Sequence, residues 1–517
     1  MDLKPETGFG KTIFLLASSL FAAVLVLIRT SGFGAGITHD SVAYVYAAES
    51  VISGKGFVYF GYGTPFVQWP PLFPVLLAGA QWLGIDMLEA ARFLNAVVQG
   101  LILLFSGIWL SGRLKSKVLF VAAQLTLVFS MPLLYVAGYV WTEPLFILFS
   151  ILFLTMLGDY STSRRRADLL WASVFCALAC LTRYIGVTLI AAGVIILLLV
   201  KEKTSRRLKD ILLFGFVSST PLAAWLIRNY AVFSSFAGTR EASRYTLVQN
   251  IRAVFDTVAS WFVPSPILAG TLRGVMGAAA AAVILAALLF LAGQALKIAG
   301  RGGIAAGTDP GLASVLPHMC ILAVYTVYLA VSAARVAIDA ISNRLMAPVY
   351  ISLILLLFFA ADRVLGMLKN RGRTRIIGGV LIVVVCVWLV YPLSTSIVLL
   401  KKSIDSGAGG YSSEKWKYSE MINYLKEQKT QCQVYSNNPD AIRILAGIPA
   451  EYTPKNNGPE QYGFERFREK VNNGDCSIVV WFDSGPAGTI LSPADLNRFF
   501  VLETVEEKAD GTIYEIR

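Results

Sequence analysis

The chain has 517 residues, 56% hydrophobic and 15% charged, with a mean hydropathy of +0.63. That composition excludes a string of soluble domains and identifies an α-helical polytopic membrane protein. A net charge of +12 would suit nucleic acid, but the basic residues fall in short clusters between apolar spans, the pattern of cytoplasmic loops facing anionic membrane lipids, so nucleic acid is excluded as a partner.

The apolar run 13–28 follows Lys4 and Lys11 and lacks a small-residue cleavage site, so it reads as a retained first span with a cytoplasmic N-terminus. The outer loop 30–92 carries Asp40, the earliest acid outside the extreme N-terminus. Thr38 or Asp40 can cap a helix there. Val42, Val45, Tyr46 and Ile52 recur near helical spacing, which leaves Asp40, Tyr44, Ala47 and Ala48 on another face. Gly54, Gly56, Gly61 and Gly63 punctuate an aromatic loop leading to Trp69-Pro70-Pro71-Leu72, and 73–83 predicts a second interfacial helix too short to span.

Further spans are expected at 93–110, 118–136, 141–157, 169–181, 185–200, 211–227, 275–296, 312–331, 345–361 and 376–390, about 11 transmembrane helices in a membrane domain covering 1–400. The clusters Arg113/Lys115/Lys117, Arg164/Arg165/Arg166, 201–209 and 363–375 then all fall on the N-terminal side, as the positive-inside rule requires. The segment 228–273 becomes a long outer loop. Cys176, Cys180, Cys320 and Cys386 lie in apolar spans, where buried structural thiols are the default.

From 401 to 517 the chain turns polar. A Gly407-Ala408-Gly409-Gly410 join precedes a helix with Trp416, Met421 and Leu425, strands at 433–436 and 477–482 with a helix at 439–446 between them, and a closing hairpin, 499–517, around Asp510-Gly511. This is a small extracytoplasmic α/β domain. Cys432 and Cys476 each open a strand, and a disulfide between them is open to the chain if the region is exported. No repeat, Walker loop or dinucleotide fingerprint occurs, so ATP-driven transport has no support.

With this topology the outer face collects His39, Asp40, Glu143 of Trp141-Thr142-Glu143-Pro144, Arg183-Tyr184, Arg228-Asn229-Tyr230, Arg240, Arg244, Arg335 and Arg344. Charges at span ends face a water-filled cavity or a polar ligand, and arginine forks onto phosphate oxygens. Paired carboxylates with several arginines at a lipid interface suit transfer of a sugar from a lipid phosphate to an acceptor hydroxyl. The arginines would stabilise the departing phosphate and a carboxylate would take the acceptor's proton. Blander roles exist for each: Asp40 as an ordinary cap, Glu143 satisfying first-turn N–H groups, Arg183 as a snorkelling anchor, His39 as a polar loop residue and His318 as a helix-packing residue.

The order of these signals resembles the GT-C glycosyltransferases, closest to the family 39 type that includes the protein O-mannosyltransferases and the lipid A aminoarabinose transferase. Asp40-Ser41 matches the first-loop acidic motif, Trp69-Pro70-Pro71-Leu72 the Lys- or His-Pro-Pro-Leu motif, and Thr142-Glu143-Pro144 the second outer-loop acid; Leu181-Thr182-Arg183 is similar to Leu-Thr-Lys, and Arg344-Leu345 to a late Arg-Tyr pair. The resemblance implies a multi-pass enzyme of the cell (inner) membrane that takes a polyprenyl-phosphate-linked sugar donor and a lipid, glycan or protein acceptor at the outer leaflet. Asp40 inherits the catalytic role with Glu143 as a second acid. Arg183, Arg228 and Arg344 become donor phosphate-binding residues, and His39, Tyr44, Trp69 and Tyr184 substrate-binding ones. No cofactor follows from these motifs, and a divalent metal is left open.

Two departures matter. Ser41 stands where the family often has a second acid, and Trp69 where a basic residue commonly precedes Pro-Pro, which throws phosphate binding onto the arginines and leaves Trp69 to stack on a sugar face. Two other classes compete: a lipid or glycolipid transporter (flippase) whose arginines read a phosphate headgroup without chemistry, and a non-catalytic glycan-assembly protein. Transporters place ionisable groups near the bilayer midplane on broken helices in matching halves, and that pattern is not seen here.

Overall fold

The computed structural model describes residues 8–58, 63–263, 270–300, 302–305, 308–369, 374–428, 430–455, 463–474, 476–485 and 490–517. Gly61, and Arg371 and Arg373 of the last basic cluster, lie outside the described residues.

Among the described residues nine helices are long and apolar enough to cross a membrane: Phe9–Arg29, Met87–Arg113, Lys117–Ala137, Glu143–Ser163, Thr204–Phe233, Gly274–Gly300, Pro310–Arg335, Asn343–Leu368 and Val383–Ser406. The chain is a multi-pass helical membrane protein. The other two of the eleven expected spans are shorter: Arg166–Thr182 has 17 residues, and Tyr184–Leu199 opens with a 3-10 turn. Arg183, in extended backbone, is the break between them.

Burial separates two kinds of apolar helix. The most apolar window of Asn343–Leu368 is 83% buried and lies in the middle of the bundle, whereas those of Gly274–Gly300 and Val383–Ser406 are 6% and 11% buried. Val283, Leu285 and Leu289 on one, and Val384, Val387 and Val390 on the other, are exposed, as side chains facing lipid must be.

The connections gather at two ends. At one, Arg113 bonds Ser314 and Asp159, Asp362 accepts from the backbone N–H groups of Lys115 and Ser116, Arg164 reaches the Ile304 carbonyl, and Arg363 pairs with Asp309. At the other are the paired helices His39–Ile52 and Leu72–Trp82 and the bridges from Gly36 to Tyr139 and from Ala242 to Val336. The segment expected as a long loop there holds a helix, Leu247–Ser260, whose start is fixed by Thr246 and Gln249 bonding each other's backbone N–H.

The last spanning helix, Thr374–Ser406, runs past its expected end at 390 and past the expected domain boundary at 400. The glycine join that follows is packed. Gly410 has φ +60°, and a Cβ there would overlap the Ile37 carbonyl. Tyr411 N–H donates to that carbonyl at 2.8 Å, and Ser412 Oγ donates to Ala35 O at 2.7 Å, so the C-terminal domain is fastened to the first loop.

That domain holds, among the described residues, a five-stranded sheet in the order Ala450–Tyr452, Gln433–Ser436, Ser477–Phe482, Gly511–Ile516, Leu502–Lys508. The first three strands are parallel and the last two form the hairpin. Alternation puts Val434 and Val480 with Trp416, Met421 and Leu425 on one face, and Tyr435 and Val479 with Phe467 and Leu496 on the other. Gln433 pairs with Ser477, so Cys432 and Cys476 stand one step earlier in the same register, and they form a disulfide. The helix expected at 439–446 is one α turn, Pro439–Ala441, followed by a π turn, Ile442–Ala446.

Candidate active site

Four charged residues from distant parts of the chain meet at the second end. Asp40 is the second residue of His39–Ile52, where Thr38 N–H donates to Ser41 Oγ at 3.0 Å; Ser41, standing in place of a second acid, thus closes the helix start. Glu143 opens Glu143–Ser163 ahead of Pro144, Arg183 follows Arg166–Thr182, and Arg344 is the second residue of Asn343–Lys369.

Arg344 is the hub. Its Nη2 pairs with Asp40, its Nε donates to Glu143 Oε1 at 2.7 Å, and its Nη1 donates to Asp339 Oδ2 at 2.8 Å. The guanidinium lies 4.0 Å from the centre of the Trp141 ring. Trp141 is itself fixed by stacking on Tyr139 and by donating from Nε1 to Thr38 Oγ1 at 2.8 Å. Arg183 Nη1 reaches the same Glu143 oxygen at 2.5 Å and Thr142 Oγ1 at 3.2 Å.

Glu143 is wholly buried, and its other oxygen, like Arg183 Nε, has no hydrogen-bond partner among the described residues. Such groups cost roughly 1–3 kcal/mol each in a packed interior and are retained where a ligand engages them. Asp40 keeps 21% of its side chain exposed. Burial pushes its carboxyl up, but Arg344 first, then His39 and Arg183, override this and hold it below the usual carboxylate range. Asp40 is therefore an ionised, reachable carboxylate among cations.

His39, Tyr44 and Trp69 line one wall beside it. Trp69 stacks on Phe66 at 5.6 Å and lies 5.9 Å from the Tyr44 ring and 6.1 Å from the His39 ring, while Tyr44 is buried edge-on to Phe73. His39 Nδ1 is 2.6 Å from Oδ2 of Asp440, a fully buried residue of the C-terminal domain. Burial alone would lower the imidazole pKa; the Asp440 carboxylate outweighs it and raises the ring to about 9.

Arg228 and Tyr184 stand apart from the acids. Arg228, expected to bind the donor phosphate, donates to the carbonyls of Phe66 and Phe57 at 3.0 and 3.1 Å. Tyr184 donates to Val67 O at 2.7 Å and accepts from Trp225 and Asn229, and Arg240 donates to Gln68 O at 3.2 Å. Together they hold the loop that presents Trp69. His318 lies inside the bundle against Trp109 and 3.0 Å from Ser352 Oγ. Three residues that sequence reasoning did not assign to the site are Trp141, Asp339 and Asp440. The first two sit beside quoted motifs, whereas Asp440 has no local signal. Among the described residues no three His, Cys, Asp or Glu side chains gather so as to hold a metal ion.

No protein-family model matches the sequence, and a search of curated proteins finds no match. Among solved structures the chain is similar to ArnT from Cupriavidus metallidurans bound to undecaprenyl phosphate, with a TM-score of 0.56, 13% identity and 98% of each chain covered. It is similar to the archaeal oligosaccharyltransferase AglB from Archaeoglobus fulgidus in complex with an inhibitory peptide and a dolichol-phosphate, with a TM-score of 0.54 and 14% identity over 92% of this chain and 70% of that one. It is also similar to the arabinofuranosyltransferase AftD from Mycobacteria, with a TM-score of 0.54 and 13% identity over 98% of this chain and 40% of that one. What is shared at these identities is the fold, over 98% of this chain with ArnT.

Proposed function

We propose that this chain, folded like ArnT and AglB, is a membrane glycosyltransferase that moves a sugar from a polyprenyl-phosphate carrier to an acceptor hydroxyl of a lipid, glycan or protein. The observation that carries the reading is Arg344 bridging Asp40 and Glu143 with Arg183 on the same Glu143 oxygen. A reachable ionised acid beside two guanidinium groups is what such a transfer needs.

In this reading the acceptor oxygen attacks the anomeric carbon, its proton passes to Asp40, and the bond from that carbon to the phosphate oxygen breaks with its electron pair left on the phosphate. Arg344 and Arg183 neutralise that charge. The attack comes from the face opposite the phosphate, so the anomeric carbon inverts. Glu143 keeps the two guanidinium groups aligned, and Trp69, backed by the buried Tyr44 ring, takes a sugar face. Arg228 and Tyr184 act on the loop that carries Trp69. The acid-bearing end faces the outside of the cell membrane and the basic end the cytoplasm, which agrees with the positive-inside rule and with a disulfide in the C-terminal domain.

Purified protein in proteoliposomes, given polyprenyl-phosphate sugars of varied headgroup, is expected to release polyprenyl phosphate as the acceptor gains sugar. Donor carried across the bilayer unchanged would instead identify a flippase.

A further inference from the structure

The acid cluster belongs to the membrane bundle, yet one of its neighbours is held from outside it. His39 precedes Asp40 on the same helix turn, and its ring is fixed by Asp440 at 2.6 Å. Asp440 is 0% exposed and is the middle residue of the turn Pro439–Ala441, which follows the strand Gln433–Ser436 of the parallel sheet. Its other oxygen, Oδ1, has no hydrogen-bond partner among the described residues. A buried carboxylate with a single partner is costly unless that partner is a cation.

We propose that Asp440, a residue of the C-terminal domain, is a positioning residue for the transfer site: its carboxylate fixes the His39 ring as a cation beside Asp40, so the C-terminal domain completes the site from outside the membrane bundle. The inference rests on the glycosyltransferase reading only for its effect on rate. The contact itself stands apart from it.

The charged groups facing His39 are Asp440 from the C-terminal domain, Asp40 from its own helix and Asp339 from the loop before Asn343–Lys369. Asp440 is the strongest of them, so its loss removes most of what keeps the ring protonated. A control contact joins the far end of the same helix to the π turn Ile442–Ala446 that follows Asp440. There Arg443 pairs with Glu49 at 2.6 Å and covers the Tyr46 ring, beside a cleft of about 520 Å³ that does not include Asp40. If the C-terminal domain merely docks, either contact serves equally.

The chain has two histidines, so histidine-selective NMR of the full-length protein resolves the His39 titration, with His318→Gln assigning the second signal. We expect His39 to titrate near 9 in the native protein and clearly lower in Asp440→Asn, with Arg443→Gln leaving it near 9. In the sugar-transfer assay the alkaline limb of kcat falls with it, and kcat at neutral pH drops by about 10–100-fold, with donor KM changing less. An unmoved His39 titration or alkaline limb in Asp440→Asn overturns the proposal. Should that variant not fold, Asp440→Glu keeps the charge and shifts its position: a titration still near 9 with lowered kcat supports the proposal, and wild-type kcat overturns it. Absence of transfer by the native protein defeats the glycosyltransferase reading and the rate effect with it, while the titration still decides the contact.

Discussion

At the residue scale the proposed chemistry turns on how Arg344 divides its donors among Asp40, Glu143 and Asp339. Removing one partner of a buried, hydrogen-bonded charge network leaves the others uncompensated, at a cost of about 3–5 kcal/mol. Glu143→Ala is expected to destabilise the protein by that amount, since it takes the carboxylate from buried Arg183 and one of three from Arg344; a thermal melt in detergent reads it, and a wild-type melt counts against the network. Asp40 sets the acid side. Its folded pKa lies below the unfolded value of about 3.9, so its contribution to stability is present above that pH and fades as pH falls through the folded value. Transfer is likewise expected to persist to below about pH 4 before protonation removes the base, and a rate–pH profile that bends at pH 5–6 would contradict this. Asp40, Glu143, Arg183 and Arg344 were legible in the sequence because each is a charge at the end of an apolar run, where burial without purpose is expensive. Asp440 was not, because its partner lies 401 positions away and nothing local marks it.

At the element scale the loop before Trp69 is held by side chains that spend their donors on its backbone. Tyr184→Phe removes the hydroxyl that bonds Val67 O and receives Trp225 and Asn229, which costs about 1–3 kcal/mol locally. The expected result is a raised donor KM with a smaller change in kcat, measured in the transfer assay; an unchanged KM would mean the loop does not meet the donor. Hydropathy read the spans well, since each apolar run is largely helical, 118–136 as two helices. It was blind to Leu247–Ser260, whose exposed face carries Leu247, Val248, Ile251 and Phe255, so apolar residues do not mark the buried side there. The break in 118–136 between Val128 and Met131 has a visible cause, Ser130 capping a new helix with Pro132 in its first turn, but in a continuous apolar run it gives no hydropathy dip.

At the scale of the whole molecule, the small C-terminal sheet domain reaches the candidate site through Asp440, and its disulfide bears on that contact. The disulfide joins neighbouring parallel strands across 44 residues, and its loss is expected to cost about 2–4 kcal/mol of C-terminal domain stability. Cys432→Ser with Cys476→Ser is expected to loosen that domain, seen as faster amide exchange in the strands Gln433–Ser436 and Ser477–Phe482; unchanged exchange would show that the sheet stands without it.

The most direct measurement is sugar transfer from a polyprenyl-phosphate donor by native protein and by Asp40→Asn, side by side in proteoliposomes with a thermal melt of each. The side-chain shape is kept and the proton acceptor removed, so the expected outcome is two folded proteins with transfer slowed by about 10²–10⁴-fold in the variant. Equal rates from the two would contradict the account at its centre.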